Sequence, residues 1–397
     1  MSNVFTSVTR QGLFSRLGNS FKGIIIGVIL FAGSFVLLFW NEGEAVKQAK
    51  ALKEGANVVQ EIPADKIVAA YDGQLIHISG LATTTQVLHD PEFLVEENAL
   101  KLIRSTEMFQ WKENKSETTK DKLGGGKETV TTYTYQHGWA PDRIKSESFQ
   151  HPQGHENPAP KFASVTEIAK PITVGAFRLN DRLIAKIGNA ENREFTTADW
   201  EKLDPRLRAE TKLYEGKIYW SAKGEPNPAS PVIGDIRVTL SIVKPTEVSV
   251  IAKQHGENLE PFLTSNNRQI EMLSMGLLGA AVMFEQAQAA NRLRTWIFRV
   301  VGFAAMGFGI MLVLSPISVM LNVIPILGRV AQTGIFVIAF LLAAILSLIT
   351  ISIAWIFYRP LIGIAILVVA ALIIGLLIFA VKRLRSKPEA EEIPTVY

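Results

Sequence analysis

The chain has 397 residues, a formal charge of +4, 48% hydrophobic residues and no Cys. The missing cysteines exclude disulfides, iron–sulfur clusters, thiol nucleophiles and cysteine-based zinc sites, and Lys and Arg interspersed with acids leave no basic stripe for nucleic acid. A mean hydropathy of +0.20 averages two unlike parts: long apolar runs, and a water-soluble portion of about 250 residues, large enough to bury its own core.

In chain order, residues 1–22 are polar, with Arg10, Arg16 and Lys22, and lead into an apolar run over 23–40. The run is long for a signal sequence and no small-residue cleavage site precedes Asn41, so it reads as an uncleaved first transmembrane helix. Asn41-Glu42-Gly43 then opens a stretch to about Val59 with Ala45, Val46, Ala49, Leu52 and Ala56 at helical spacing. That pattern predicts a weakly amphipathic helix, capped by Asn41, lying on the membrane or on the base of the soluble domain.

From Gln74 the character changes. Residues 74–80, 100–112, 127–139, 172–179, 217–221, 233–243 and 247–254 are β-branched or aromatic runs punctuated by Gly, Pro and Asn, the pattern of strands. The alternation over 129–135 predicts a strand paired with 107–112, across a polar connection whose Gly124-Gly125-Gly126 suggests a flexible tip. Residues 270–290 return to helical composition.

From Trp296 to Val381 there is no Asp or Glu, and the only charges are Arg299, Arg329 and Arg359. Three runs fit, 296–320, 334–357 and 361–381, each near the 20 or so apolar residues that cross a bilayer core about 30 Å thick. Backbone in lipid must satisfy its own hydrogen bonds, so each is a helix, the last two joined in a tight hairpin at Arg359-Pro360. The predicted fold class is an integral membrane α-helical protein with four transmembrane helices and a large exported, mainly-β (α+β) domain between helices 1 and 2, residues 41–295.

Four spans put both termini on one side. Arg10, Arg16 and Lys22 before the first helix, and Lys382, Arg383, Arg385 and Lys387 after the fourth, mark that side as cytoplasmic. Arg292, Arg294 and Arg299 oppose the rule, but long loops translocate largely regardless of charge. Trp40, Trp296, Trp355 and Tyr358 then fall at outer helix ends, an aromatic belt for interfacial anchoring. Gly23 and Gly27, Ala305 and Gly309, and Ala371 and Gly375 place small side chains one turn apart, which suits close helix packing.

Catalytic and metal signatures are sparse. Gly124-Gly125-Gly126-Lys127 lacks the Walker spacing and reads as a linker. His151 and His155 are separated by Pro152 and Gly154, so the segment reads as a loop rather than a metal-binding helix. No cofactor, no metal site and no catalytic residue is assigned. The polar residues in the spans, Ser34, Ser315, Ser318, Ser347, Thr350 and Ser352, can bond back to their own helices.

Several stretches together resemble one family. Asn41-Glu42-Gly43, Leu75-Ile76-His77-Ile78-Ser79-Gly80, Glu107-Met108-Phe109-Gln110-Trp111, Gly154-His155-Glu156-Asn157-Pro158, Gly234-Asp235-Ile236-Arg237-Val238, Val250-Ile251-Ala252-Lys253-Gln254, Pro261-Phe262 and Trp355-Ile356-Phe357-Tyr358-Arg359-Pro360-Leu361 are similar, in order and spacing, to the transmembrane protein 43 family, also called LUMA. The resemblance implies four spans with a large luminal or periplasmic domain. It also implies self-association, organisation of protein complexes and, in animals, the endoplasmic reticulum and inner nuclear membrane with lamina and emerin-type partners. The short N-terminus and absent Cys point to a bacterial member, for which the bacterial inner membrane is the expected place.

The resulting expectation is a non-enzymatic, multi-pass scaffold that forms a homo-oligomer and contacts membrane lipids and other membrane, periplasmic or luminal proteins. Asn41, Glu42 and Gly43 form its junction between first helix and domain. The rivals are an oligomeric channel whose water-facing stripe would use Ser347, Thr350 and Ser352, and a membrane-tethered lipid-handling or hydrolytic domain dependent on His155.

Overall fold

The computed structural model describes residues 3–360; the predicted fourth span, with Ala371 and Gly375, lies outside the described residues. The chain divides into two compact units, one made of Met1–Leu13 and Lys50–Ala289, the other of Phe14–Ala49 and the residues from Ala290 on. Among the described residues, three helices are long and apolar enough to cross a membrane: α1 (Leu13–Val58), α2 (Ala280–Leu321) and α3 (Pro325–Tyr358). A mainly-β domain lies between α1 and α2.

α1 runs without a break through Asn41-Glu42-Gly43. The predicted span and the predicted amphipathic helix are therefore one helix of 46 residues, about 69 Å long at 1.5 Å per residue, and Asn41 is not a cap. Gly43 is a weak helix former, costing about 1 kcal/mol against Ala, but nothing in the stretch removes a backbone donor. The last turns bury their apolar face in the β domain, where Leu52 joins Leu75, Ile251, Ile270, Met283 and Phe284. A β-carbon on Gly55 would lie 2.3 Å from Ile270 Cδ1, so glycine sets how closely the helix seats.

The residues before the first span form a strand, β1 (Val4–Gln11), for which the sequence offered no element. Eight strands make the first sheet. Its path runs from β1 through β4 (Lys127–Ala140), β3 (Lys101–Asp121), β7 (Ile236–Val243) and β6 (Lys217–Trp220) to β5 (Thr211–Tyr214), and Val165–Ile168 also pairs with β3. In the second, seven-stranded sheet, β8 (Thr246–His255) pairs with both β2 (Leu75–Thr83) and β9 (Met272–Met275). Both sheets feed one core, with Ile78, Val248 and Val250 from one and Leu102, Met108 and Val238 from the other.

Alternation along β3 puts Leu102, Arg104, Thr106, Met108 and Gln110 inward, and the polar members of that row are all bonded. Arg104 donates to Asp90 at 2.8 Å and to Ala163 O at 3.1 Å, and Gln110 donates to Asp142 O at 2.8 Å. Beyond Trp111 the hairpin continues in full register to Asp121 opposite Lys127, so Thr129–Tyr135 faces Thr119–Glu113 rather than 107–112. The polar connection is itself strand, with the turn confined to 122–126, where Gly124 and Gly125 take φ of 82° and 77°.

Three other boundaries move. Residues 172–179 form a tight hairpin, Thr173–Val174 against Phe177–Arg178. Gln269–Ile270 and Met272–Met275 are short strands, and the helical stretch starts only at Ala280. α3 starts at Pro325, nine residues before the predicted 334, because proline's missing N–H costs nothing at a helix's first position. Leu52→Ala is expected to lower stability in nanodiscs by about 2–5 kcal/mol through the cavity it leaves, with exposed Lys53→Ala within about 0.5 kcal/mol of the parent; denaturant unfolding followed by Trp fluorescence checks this.

Candidate functional site: a polar clamp among the apolar helices

Glu42 is fully buried on α1, where an unpaired carboxylate would cost several kcal/mol. Its countercharge is Arg299 on α2. Arg299 Nε donates to Oε1 at 2.6 Å and Nη2 donates to Oε2 at 2.9 Å, the two-pronged geometry that suits guanidinium and carboxylate. Trp355 Nε1 on α3 donates to the same Oε2 at 2.8 Å. The guanidinium carbon also lies 4.7 Å from the Trp296 ring centre and 5.5 Å from that of Trp355, so aromatic faces cover the charge. One carboxylate thus joins three helices.

Around it, two asparagines tie α1 to α2. Asn41 Nδ2 donates to Thr295 O at 3.1 Å, and Asn291 Nδ2 donates to Ala45 O at 3.0 Å. Gly43 meets α3: a β-carbon there would sit 2.6 Å from Tyr358 Cζ. All three junction residues face neighbouring helices, each by a different contact.

The small residues divide. Gly27 and Gly309 are brought together, a β-carbon on either lying 2.8 Å from the other's carbonyl oxygen. Gly23 is only in ordinary contact with Leu312, and Ala305 is half-buried. The aromatic residues also divide. Trp40 and Trp296 are largely exposed, Trp40 touching Phe298 edge-on at 6.3 Å, whereas Trp355 is a hydrogen-bond donor in the clamp and Tyr358 packs on Phe39 at 5.2 Å.

The other polar candidates are engaged locally. Ser347 Oγ donates to Ala344 O at 3.0 Å and Thr350 Oγ1 to Leu346 O at 2.7 Å, both on their own helix. His155 is buried in the β domain, stacked on Tyr135 with ring centres 4.0 Å apart and its Nδ1 bonded to His151 O at 3.0 Å. Tyr135 hydrogen-bonds Glu113, and burial followed by that carboxylate pushes its phenol up to about 12. A cleft of about 290 Å³ beside β3 is lined by Thr106, Glu107, Asp142, Arg143 and Phe162. Two of its charges are in use, Glu107 on Arg237 and Arg143 on Glu147. Among the described residues no three His, Asp or Glu groups converge as metal ligands.

A family model described as Transmembrane protein 43 matches residues 108–360. The chain belongs to the transmembrane protein 43 family. Among curated proteins of the family, Transmembrane protein 43 of Mus musculus is 32% identical over 371 residues, 90% of this chain and 89% of that protein. The Homo sapiens protein is 30% identical over 399 residues, covering 97% and 95%, and the Drosophila melanogaster homolog 28% over 362, covering 87% and 92%. No solved structure matches.

In this member of the transmembrane protein 43 family, the sequence reading named Glu42 and Trp355 but missed the residue joining them. Arg299 was visible as the one charge just inside the second apolar run, and Glu42 as an acid at the edge of the first. Each is costly alone next to lipid, so their pairing was the available signal. Arg299→Met is expected to destabilise the helical unit by about 3–5 kcal/mol by stranding the carboxylate, and Glu42→Met with Arg299→Met to recover most of that loss. Thermal unfolding of the nanodisc-embedded protein measures both, and a double variant no better than the single would contradict the pairing.

Proposed function

We propose that this chain is a non-enzymatic membrane scaffold that self-associates and organises protein complexes, with the β domain as its exported interaction module. The reading is carried by the use of the clamp. The ionisable pair among the apolar helices, Glu42 and Arg299, is spent on helix-to-helix bonding, whereas transport and pump chemistry leaves such groups facing a pathway. The hydroxyls of Ser347 and Thr350, the candidate water-facing stripe, are likewise occupied on their own helix.

The pairing also bears on orientation. With Glu42 beside it, Arg299 adds no net charge at its end of the second span, which weakens the charge objection to an exported domain; β1, which precedes the first span, pairs with β4 of that domain and therefore belongs with it rather than on the opposite side. Exposed Ile25, Ile29, Val300 and Leu348 supply lipid-facing surface. In a bacterium the domain would face the periplasm from the inner membrane, and in an animal cell the lumen of the endoplasmic reticulum and nuclear envelope.

Native mass spectrometry of the protein extracted into nanodiscs tests the reading. A discrete oligomer is expected at native lipid ratios, and a clean monomer would overturn self-association. Gly27→Leu does not serve as the probe of assembly, because Gly27 is already committed to Gly309 of the same chain.

A further inference from the structure

The connection from β9 to α2, residues 276–280, is the covalent path from the second sheet into an apolar helix, and three side chains of the β domain hold it. Ser249 Oγ on β8 donates to Gly276 O at 2.9 Å and accepts from Leu278 N at 2.7 Å. His77 Nε2 on β2 meets Leu278 O at 2.8 Å. Glu61, on the short strand Gln60–Glu61 that pairs in parallel with β2, accepts from the N–H of Ala280, the first residue of α2, at 3.1 Å. His77 and Ser249 are buried, whereas the Glu61 side chain is largely exposed.

Glu61, His77 and Ser79 have the residue types of a carboxylate–imidazole–hydroxyl relay, since Ser79 Oγ lies 3.3 Å from His77 Nε2. Counting protons excludes that use. Leu278 O can only accept, so Nε2 carries a hydrogen. The single proton of Ser249 goes to Gly276 O, so Ser79 is the donor in the 2.7 Å contact between the two hydroxyls. Ser79 has no second proton for the ring, and a relay needs a ring nitrogen free to take one from the hydroxyl.

The same count identifies the nitrogen that titrates. With Nε2 fixed as a donor, the neutral ring keeps its lone pair on Nδ1, which faces Glu61 Oε1 at 3.9 Å. Two acceptors oppose each other there. A proton on Nδ1 converts the opposition into an ion pair with a donor aimed at the carboxylate, and an imidazole is the side chain that gains its charge between pH 8 and 5.

The other charges on the elements around His77 are engaged, exposed or farther along the chain. Lys253, two positions beyond the His77 partner Ile251 on β8, pairs with Glu260 at 2.9 Å. Glu247, toward the other end of β8, sits opposite Leu81 and is exposed. β9, the connection and α2 carry no ionisable side chain from Met272 until Glu285.

We propose that His77 and Glu61 form a pH-sensitive latch on the connection into α2. Protonation of Nδ1 ties Glu61, and through it the first amide of α2, to the sheet; deprotonation releases that tie. The bond exists only with the proton in place, so the protection it gives is present at low pH and lost as the pH rises.

Hydrogen exchange of the full-length protein in nanodiscs tests this, read at Ala280 and Leu278 and corrected for the intrinsic pH dependence of amide exchange. Protection is expected to be about two- to fivefold higher at about pH 5.5 than at about pH 8, the size of a partly exposed ion pair. Glu61→Gln keeps an acceptor for Ala280 N without the charge, and His77→Gln keeps a donor for Leu278 O without the titration, so each should flatten the profile. A flat profile in the parent, or an unchanged slope in either variant, would overturn the latch. Isotope-edited NMR of the ring gives a reading that needs no variant: a neutral tautomer with its hydrogen on Nδ1 at about pH 8 would overturn it as well.

Discussion

The buried pair of Glu42 and Arg299 is the constraint on which the helical unit depends. A carboxylate among apolar helices is tolerable only with its charge matched and its lone pairs bonded. Both conditions are met, by the forked guanidinium at 2.6 and 2.9 Å and by the Trp355 indole at 2.8 Å. Removing either partner leaves the other in a medium that cannot solvate it. The sequence neighbours of the pair follow suit: Asn41 bonds Thr295 O, Gly43 lets Tyr358 approach closely, and Trp296, itself largely exposed, covers the guanidinium.

The continuity of α1 is the second determinant. A helix interrupted at Trp40 would let the polar junction bend and would free Asn41 to cap a new helix. An unbroken helix puts Glu42 on the same rod as Gly27 and Leu38, whose contacts with Gly309 and Gly302 fix one end. Leu52, packed into the β-domain core, fixes the other.

Much of the architecture was legible because apolar run length and period-two alternation are direct consequences of burial. The apolar runs at 23–40, 296–320 and 334–357 and the strand runs at 100–112 and 233–243 belong to this class. What escaped was set by partners distant in sequence. The polar strand beyond Trp111 alternates in no apolar pattern, because its order comes from pairing with β4. β1 was hidden for the same reason. At the clamp, Glu42 and Trp355 stood out one at a time, but Arg299 was weighed only as a topological signal and not as a countercharge. The breakpoint assigned at Asn41 came from a local capping preference that tertiary contacts override.

The pair also explains why these helices hold one register. Gly27 with Gly309, Leu38 with Gly302, Asn41 with Thr295 and Ala45 with Asn291 are successive rungs of one antiparallel alignment. Two apolar helices in lipid exchange one packing for another at little cost, because the lipid is as apolar as the partner helix. A shift by one turn, about 5.4 Å, would separate Glu42 from Arg299 and leave two unpaired charges. That penalty, several kcal/mol for each ion, far exceeds the difference between one apolar rung and the next. A methionine pair could match the stability, but it would not select among registers. The polar pair therefore contributes alignment more than cohesion, and the close backbone approach at Gly27 and Gly309 is possible only because that alignment is held.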